Sequence, residues 1–396
     1  MSKILAVIIS VHIRLTYKNL MNKGFVILFL NILVFFSCST DDQILYDPNA
    51  ERNPPVIAHN GIFADSDLCQ EAKDLYTRLI SSTQKGIAFG RQEAFGTGNN
   101  FPMPDKLDND FFEVANDHPA IAGFDLELIS LQHPSSVGNF IEKFTTAVVE
   151  AHENGSIITM SWHAVNPSYI QGFDRRDTVV PDMLEGGEFR DLFLESLGKV
   201  ATLFKNLKDS EGKPIPVLFR PWHEMNGDFF YWGEGFRTTQ EYIQLFRDTV
   251  TILSEDLDVH NLIYIYSPNW VSDASEYMRN YPGDAYVDMF GVDVYDFMNG
   301  RFLQNALNNL QIVESIATDK NRLFALTETG LTNVTQNTWW TESLYKAIRS
   351  SSISYAMVWR NDTPSFFHVP FLTHPSVNNF RDFVEKESIL LSSETQ

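Results

Sequence analysis

Short apolar runs recur along most of the chain and alternate with segments whose apolar residues have helical spacing. We find eight such runs, at 86–90, 120–128, 156–163, 215–224, 262–269, 288–296, 323–330 and 353–362. Between them, 137–155, 188–207 and 239–255 repeat apolar residues at helical intervals. Continuously apolar strands separated by helices are typical of a parallel sheet that is covered on both faces.

Eight is the number of strands that closes a (β/α)8 TIM barrel, so the pattern predicts this α/β fold as one domain over residues 56–390. A doubly wound open sheet is the alternative, but no G-x-G-x-x-G loop follows any run. A barrel builds its active site where the strands end. The run ends are indeed polar, and they carry Arg91, Asp125, His163, Glu224, Asn269, Tyr295, Glu328 and Arg360.

The first 37 residues have the layout of a bacterial export signal. An apolar run at 25–36 follows Lys23 and precedes Ser37 and Cys38. The run is short for a membrane span, although an uncleaved anchor is the alternative. We expect residues 1–37 to be removed, with Met1 or Met21 as the start, Cys38 to be lipidated and 38–55 to form a tether. This predicts an exported lipoprotein at the cell surface or the periplasmic face of the outer membrane.

Net charge, cysteine content and aromatic content limit the classes of binding partner and covalent cross-link that the chain can have. The formal net charge is −21, and it becomes −25 without residues 1–37, which hold four basic residues and no acid. Such a chain repels nucleic acid. Once Cys38 is acylated, Cys69 is the last cysteine, so no intramolecular disulfide can form. Aromatic residues make up 13% of the chain and suit stacking on sugar faces. We expect a monomer.

Two glutamates stand out among the polar run ends. Glu224 ends the fourth run and Glu328 the seventh, so a closed eight-stranded barrel places them across its mouth. Retaining glycosidases need two carboxyl groups about 5–5.5 Å apart, one as acid/base and one as nucleophile. His223 and Glu224 also begin like the zinc motif H-E-x-x-H, but Gly227 replaces the second histidine. The sequence therefore predicts a carboxylate pair, with no metal and no cofactor.

Five blocks of sequence together resemble glycoside hydrolase family 26, best known for β-1,4-mannanases. They are RPWHEMNGDFFYWG (220–233), SWH (161–163), GVDVYD (291–296), ALTETG (325–330) and AMVWRND (356–362). The resemblance implies a retaining β-1,4-mannanase with Glu224 as acid/base and Glu328 as nucleophile. Its substrate would be a β-mannan, a galactomannan or a manno-oligosaccharide.

The same resemblance implies a set of substrate-binding residues. His223 would orient the acid/base or contact the neighbouring sugar. His163 and Tyr295 would line the subsite of the sugar being cleaved, and Tyr295 would hydrogen-bond the nucleophile. Trp359 would form the floor of that subsite, with Arg360 beside it. Phe229 stands where relatives often carry Trp in a leaving-group subsite.

The acid/base needs a pKa near neutrality. We expect Trp222, Phe229 and nearby aromatics to solvate Glu224 poorly, and Glu328 to disfavour a second negative charge. Three alternatives to an endo-mannanase remain open at this stage. They are an exo-enzyme that releases mannobiose, a β-glucanase or xylanase on the same barrel, and a non-catalytic glycan-binding lipoprotein.

Overall fold

The computed structural model describes residues 46–395 except 56, 58, 60, 93–109, 132–133, 170–171 and 174–175. These residues belong to one compact unit, Gln43–Gln396. The predicted signal peptide, the lipidation site Cys38 and residues 38–45 of the tether lie outside the described residues, as does most of the 91–104 loop.

Eight parallel strands close into a barrel within the described part of the chain. They are β1 (Ile87–Gln92), β2 (Ile121–Asp125), β3 (Ile157–Trp162), β4 (Val217–Pro221), β5 (Leu262–Tyr266), β6 (Met289–Tyr295), β7 (Leu323–Gly330) and β8 (Tyr355–Val358). Each strand pairs with the next, and β8 pairs with β1. Every predicted run overlaps one of these strands. The (β/α)8 barrel is therefore confirmed and the open sheet is wrong.

Helices cover the outside of the barrel. They are α1 (Gln70–Lys85), α2 (Asp110–Ala115), α3 (Glu127–Leu131), α4 (Pro134–Glu153), α5 (Val180–Met183), α6 (Arg190–Asn206), α7 (Thr239–Thr251), α8 (Ala274–Met278), α9 (Phe302–Asp319), α10 (Tyr345–Ile348) and α11 (Val377–Val384). The three predicted helices are confirmed as α4, α6 and α7, and α7 continues into a π-helical turn at Ile252–Asp256. A short strand β9 (Ile389–Leu390) pairs with β1. Among the described residues, no helix is long and apolar enough to cross a membrane.

The core has two layers because strand side chains alternate in direction. One set, which includes Phe89, Phe124 and Phe219, packs between the sheet and the helices. The other fills the barrel and meets helix α1. Tyr76 of α1 donates a hydrogen bond to the carbonyl of Asp288 (3.2 Å) and accepts one from the amide of Leu323 (3.1 Å). Both partners lie at strand starts, so α1 closes the N-terminal end of the barrel.

Residues 46–55, which we assigned to the tether, contact the body of the barrel. The Arg52 guanidinium donates to the carbonyls of Ser351 (2.9 Å) and Ile353 (2.7 Å), just before β8, and to that of Thr83 near the end of α1. Arg349 donates in the other direction, to the carbonyls of Pro48 and Ala50. The segment is thus fixed to the end of the barrel where the strands begin.

Candidate active site

The turn after β4 carries Glu224 in a strained backbone. Trp222 and Glu224 both have φ of 53°, a left-handed conformation that costs a residue with a side chain about 1–3 kcal/mol. Hydrogen bonds hold the turn in place. The carbonyls of Trp222, His223 and Glu224 accept from Tyr242 Oη, Trp232 Nε1 and the Gly227 amide, and the Glu224 amide donates to the Ser267 carbonyl.

The conformation of this turn directs Trp222 away from the cleft, which corrects the prediction that Trp222 surrounds Glu224. Its indole Nε1 donates to Thr249 Oγ1 of α7 (2.9 Å), and its ring packs against Trp162 and Phe193. Trp222 is fully buried in the layer between sheet and helices. It therefore does not form the apolar surroundings of Glu224.

Glu224 and Glu328 face each other across the barrel mouth. Their carboxylate oxygens, together with one from Asp293, all lie within 4.8 Å of one another. Glu328 is nearly buried and accepts hydrogen bonds from the Arg220 guanidinium and from Tyr295 Oη (2.8 Å). The predicted hydrogen bond between Tyr295 and Glu328 is thus present. Burial raises the pKa of Tyr295 well above 10, so its phenol stays protonated and donates.

Arg220 balances two of these three carboxylates. Its Nη1 lies 2.7 Å from Asp293 Oδ2, while Nη2 contacts Glu328. Asp293 also accepts hydrogen bonds from Ser267 (3.0 Å) and Thr327 (2.6 Å). Three carboxylates this close could hold a cation, but Arg220 already supplies the positive charge to Asp293 and Glu328. Among the described residues, no lysine or arginine forms an ion pair with Glu224.

Glu224 is accordingly the group that favours its protonated form. Burial raises its pKa well above the usual 4.5, and the negative charges of Asp293 and Glu328 raise it further. Arg220 and a hydrogen bond from Asn269 Nδ2 to Oε1 (2.9 Å) oppose this rise. Two neighbouring carboxylates in contrasting surroundings can act as an acid and as a nucleophile at the same pH.

His163 follows β3 and lies on the other side of the cleft. Its Nδ1 is 2.6 Å from Asp125 Oδ2, and its ring packs edge-on against His223 (4.6 Å) and Trp359 (6.1 Å). Burial lowers the pKa of His163, but the charge and hydrogen bond of Asp125 raise it by more, so it ends above 6.5. The structure thus brings His163, His223 and Trp359 together, as the resemblance implied.

His223 has the opposite character. Burial, Arg220 and His163 lower its pKa well below 6.5, so its imidazole is neutral. Its Nδ1 is buried and has no hydrogen-bond partner among the described residues. The hydrogen bond that holds Glu224 comes instead from Asn269.

The remaining predicted residues lie at the rim. Arg360 stacks its guanidinium over Trp359, with 5.7 Å between Cζ and the ring centroid. Phe229 is 37% exposed and packs edge-on against Phe230. Trp270, directly after Asn269, is 50% exposed. Exposed aromatic rings at a cleft rim can stack on sugars.

Sequence reasoning assigned no role to Arg220, Asp293, Asn269 or Asp125, although all four lie within the predicted runs. Each acts through another residue rather than on the cleft directly. A buried arginine within a strand, as at Arg220, is a usable signal because it requires buried carboxylate partners. The identity of those partners depends on strand register, which the pattern of apolar residues does not give.

A closed (β/α)8 barrel with two carboxylates at this separation is the constellation of a retaining glycoside hydrolase. The chain belongs to glycosyl hydrolase family 26, whose sequence profile matches residues 64–360.

Relatives and solved structures agree with this membership. A mannan endo-1,4-beta-mannosidase of Bifidobacterium adolescentis is 31% identical over 280 residues, which are 67% of this chain and 28% of that protein. The matched segment thus spans under a third of that relative. A GH26 β-mannanase structure from Bacteroides ovatus is 29% identical with a TM-score of 0.77, covering 82% of this chain and 96% of that one. GH26C from Muricauda sp. MAR_2010_75 is 28% identical with a TM-score of 0.78, covering 84% and 94%.

Proposed function

We propose that the protein is a retaining endo-β-1,4-mannanase with Glu224 as acid/base and Glu328 as nucleophile. One observation carries the proposal. Oxygens of the two carboxylates lie within 4.8 Å, close to the spacing of about 5–5.5 Å in retaining enzymes and well below the roughly 6.5–9.5 Å of inverting ones.

In the first step Glu328 attacks the anomeric carbon while Glu224 protonates the departing glycosidic oxygen. Arg220 and Tyr295 donate to Glu328, so the attacking carboxylate is held in a fixed orientation. The high pKa of Glu224 keeps its proton available. Forming the glycosyl ester removes the charge of Glu328, and Glu224 then ionises more easily. In the second step it takes a proton from water, and the water releases the sugar.

The two sides of the cleft would bind different parts of the substrate chain. The sugar attacked by Glu328 would rest on Trp359 and contact His163, which pack against each other. The leaving sugar must lie on the Glu224 side because the acid protonates its oxygen. Exposed Phe229 and Trp270 flank the turns beside Glu224, so we assign the leaving-group subsites to them.

Alanine variants of the two glutamates test the roles. Glu328→Ala is expected to lack turnover on every substrate. Glu224→Ala is expected to hydrolyse mannan slowly, to accept aryl mannosides with good leaving groups, and to regain turnover with azide as a β-mannosyl azide. The exposed Glu211→Ala serves as control and keeps wild-type rates. Inverted products from wild type, or α-azide from Glu224→Ala together with β-azide from Glu328→Ala, would contradict the assignment.

The assignment of mannan as substrate is based on the names of similar proteins. Those named mannan endo-1,4-beta-mannosidase come from Bifidobacterium adolescentis, Bacillus subtilis and others. A second candidate, a β-1,4-glucan, is favoured by Endoglucanase H of Acetivibrio thermocellus, 25% identical over 152 residues. Initial rates on mannan, galactomannan, glucan and xylan separate these candidates. A mixture of oligosaccharides early in the mannan time course supports internal cleavage, whereas mannobiose alone indicates an exo-enzyme.

We further propose that the enzyme is a lipoprotein anchored through Cys38. The apolar run 25–36 followed by Ser37 and Cys38 supports this. The contacts of Arg52 and Arg349 are also consistent with it, because they fix the segment nearest to Cys38 at the end of the barrel away from the glutamates.

A further inference from the structure

The turns after β4 and β5 are joined by a pair of asparagines next to Glu224. Asn269 donates its backbone amide to Asn226 Oδ1 (2.8 Å), and Asn226 Nδ2 donates to the carbonyls of Asn269 (3.1 Å) and Trp270 (3.2 Å). We call Asn226 and Asn269 the asparagine clasp. It ties the acid/base turn to the neighbouring turn through both main chain and side chain.

The clasp aims one hydrogen bond at the acid/base. Asn269 Nδ2 lies 2.9 Å from Glu224 Oε1, and Asn269 Oδ1 accepts from the amide of Trp270 (2.6 Å). Rotating the amide by 180° would turn its oxygen toward a carboxylate and its NH2 toward an N–H, which is unfavourable at both ends. The orientation of the Asn269 donor is therefore fixed.

Building on the proposed function, we propose that Asn269, held by Asn226, is the positioning residue of the acid/base. Oε1 already accepts a hydrogen bond from the Asn269 amide, and an N–H group there cannot accept a second hydrogen. The acidic proton of Glu224 therefore resides on Oε2. Oε2 is then the atom that gives the proton to the glycosidic oxygen in the first step and takes one from water in the second. Asn269 donates to Oε1 in both protonation states, so the carboxyl plane stays the same between the two half-reactions.

The clasp also favours the ionised form that the second step needs. Glu224 is surrounded by charged or titratable groups from three strands, namely Arg220 of β4, Asp293 and Tyr295 of β6 and Glu328 of β7. The negative groups oppose ionisation, and the donor of Asn269 favours it. Removing that donor therefore penalises water attack more than departure of a good leaving group.

The test compares Asn269→Ala, Asn269→Asp and Asn226→Ala with wild type, with Asn308→Ala on helix α9 as control. We expect Asn269→Ala to lower kcat/KM on mannan about ten- to a hundredfold, because a hydrogen bond to a charged group is lost. The basic limb of its pH profile should move up by about one pH unit. Asn269→Asp should move the basic limb up at least as far, because it adds a negative charge beside Glu224. Asn226→Ala should move the limb in the same direction by a smaller amount.

A second measurement separates positioning from folding. On an aryl mannoside with a good leaving group, the Asn269 variants should accumulate glycosyl-enzyme, and azide should restore their turnover. The positioning role would be overturned if the Asn269 variants lost equal activity on mannan and on the aryl mannoside, with an unmoved basic limb and no effect of azide. A pH profile and rates like those of wild type would overturn it as well. If wild type is inactive or Glu224→Ala shows no azide rescue, the proposed function fails as well. Normal rescue of Glu224→Ala with an unmoved limb rejects only the clasp.

Discussion

The imidazole Nδ1 of His163 lies 2.6 Å from Oδ2 of Asp125, so a carboxylate outside the reacting pair sets the charge of a histidine in the cleft. Asp125 is itself held by Ser161 Oγ (2.6 Å) and the amide of Glu127 (2.8 Å). Burial raises the pKa of Asp125, but His163, together with the hydrogen bonds from Ser161 and the Glu127 amide, lowers it by more, to about 2. The two groups thus stabilise each other's charged forms.

Asp125→Asn should lower the free energy of unfolding relative to wild type, and the size of this loss should depend on pH. The depressed pKa of Asp125 gives stability above its ordinary 3.8 that is lost as pH falls toward 2. The raised pKa of His163 gives stability below 6.5 that is lost as pH rises through its folded value. The two pKa shifts arise from the same Asp125–His163 interaction. The difference in unfolding free energy between wild type and Asp125→Asn should therefore be largest between about pH 3.8 and 6.5, at about 2 kcal/mol. Urea unfolding from pH 2 to 9 measures it, and a flat difference would contradict it.

Glu224→Gln should stabilise the protein at neutral and higher pH while strongly lowering turnover on mannan. A carboxyl group whose pKa is raised on folding contributes fully below its ordinary 4.5 and loses that contribution as pH rises to the folded value. Glutamine keeps the acceptor for Asn269 and removes the charge. The melting temperature should match wild type near pH 4 and exceed it at pH 8. Equal melting temperatures at pH 8 would show that Glu224 ionises without cost.

Trp359→Ala should lower kcat more than it raises KM. A half-buried ring beneath the distorted sugar acts mainly in the transition state. Trp340 is fully buried among Phe380, Phe383 and Phe89, so Trp340→Ala is the matched control. It should cost about 3–5 kcal/mol of stability and leave the kcat of the folded fraction unchanged. Thermal melts beside kinetics distinguish the two, and a Trp359 variant behaving like the control would remove it from the site.

Trp270→Ala should weaken binding on the leaving-group side alone. Losing one sugar-stacking ring at about 0.5–1.5 kcal/mol corresponds to a two- to tenfold higher KM for long manno-oligosaccharides. Hydrolysis of an aryl mannobioside, which has no sugar on that side, should be unchanged. Phe229→Trp is expected to act in the opposite direction. Equal effects on both substrates would place Trp270 elsewhere.

Cys38→Ala should release the enzyme from the membrane fraction. In the lipoprotein proposal, lipid attached to Cys38 is the anchor, and alanine at this position cannot carry it. Fractionation with labelled fatty acid checks this, and Ser37→Thr serves as a control that keeps the cysteine. Unchanged membrane retention, with no label on the wild type, would refute the lipoprotein proposal.

The sequence predicted what depends on residue pattern and missed what depends on register. Eight apolar runs predict the barrel because each strand is buried on both faces. Glu224 and Glu328 could be placed at one rim because the ends of parallel strands meet there, and the hydrogen bond between Tyr295 and Glu328 was predicted from the family resemblance. Asn269 and Arg220 escaped because their partners lie on other strands. Trp222 was misplaced because the positive φ values after β4 break the alternation of side chains.

Residues 46–55 are held at the end of the barrel where the strands begin, and the two glutamates lie where the strands finish. A resin or an electrode coupled ahead of Tyr46 therefore joins the molecule on the face remote from the cleft. Polysaccharide too large to enter a pore can still approach the free face of such an immobilised enzyme. Coupling through the Cys38 thiol of enzyme produced without its lipid should accordingly retain more activity toward intact mannan than random coupling through lysine amines.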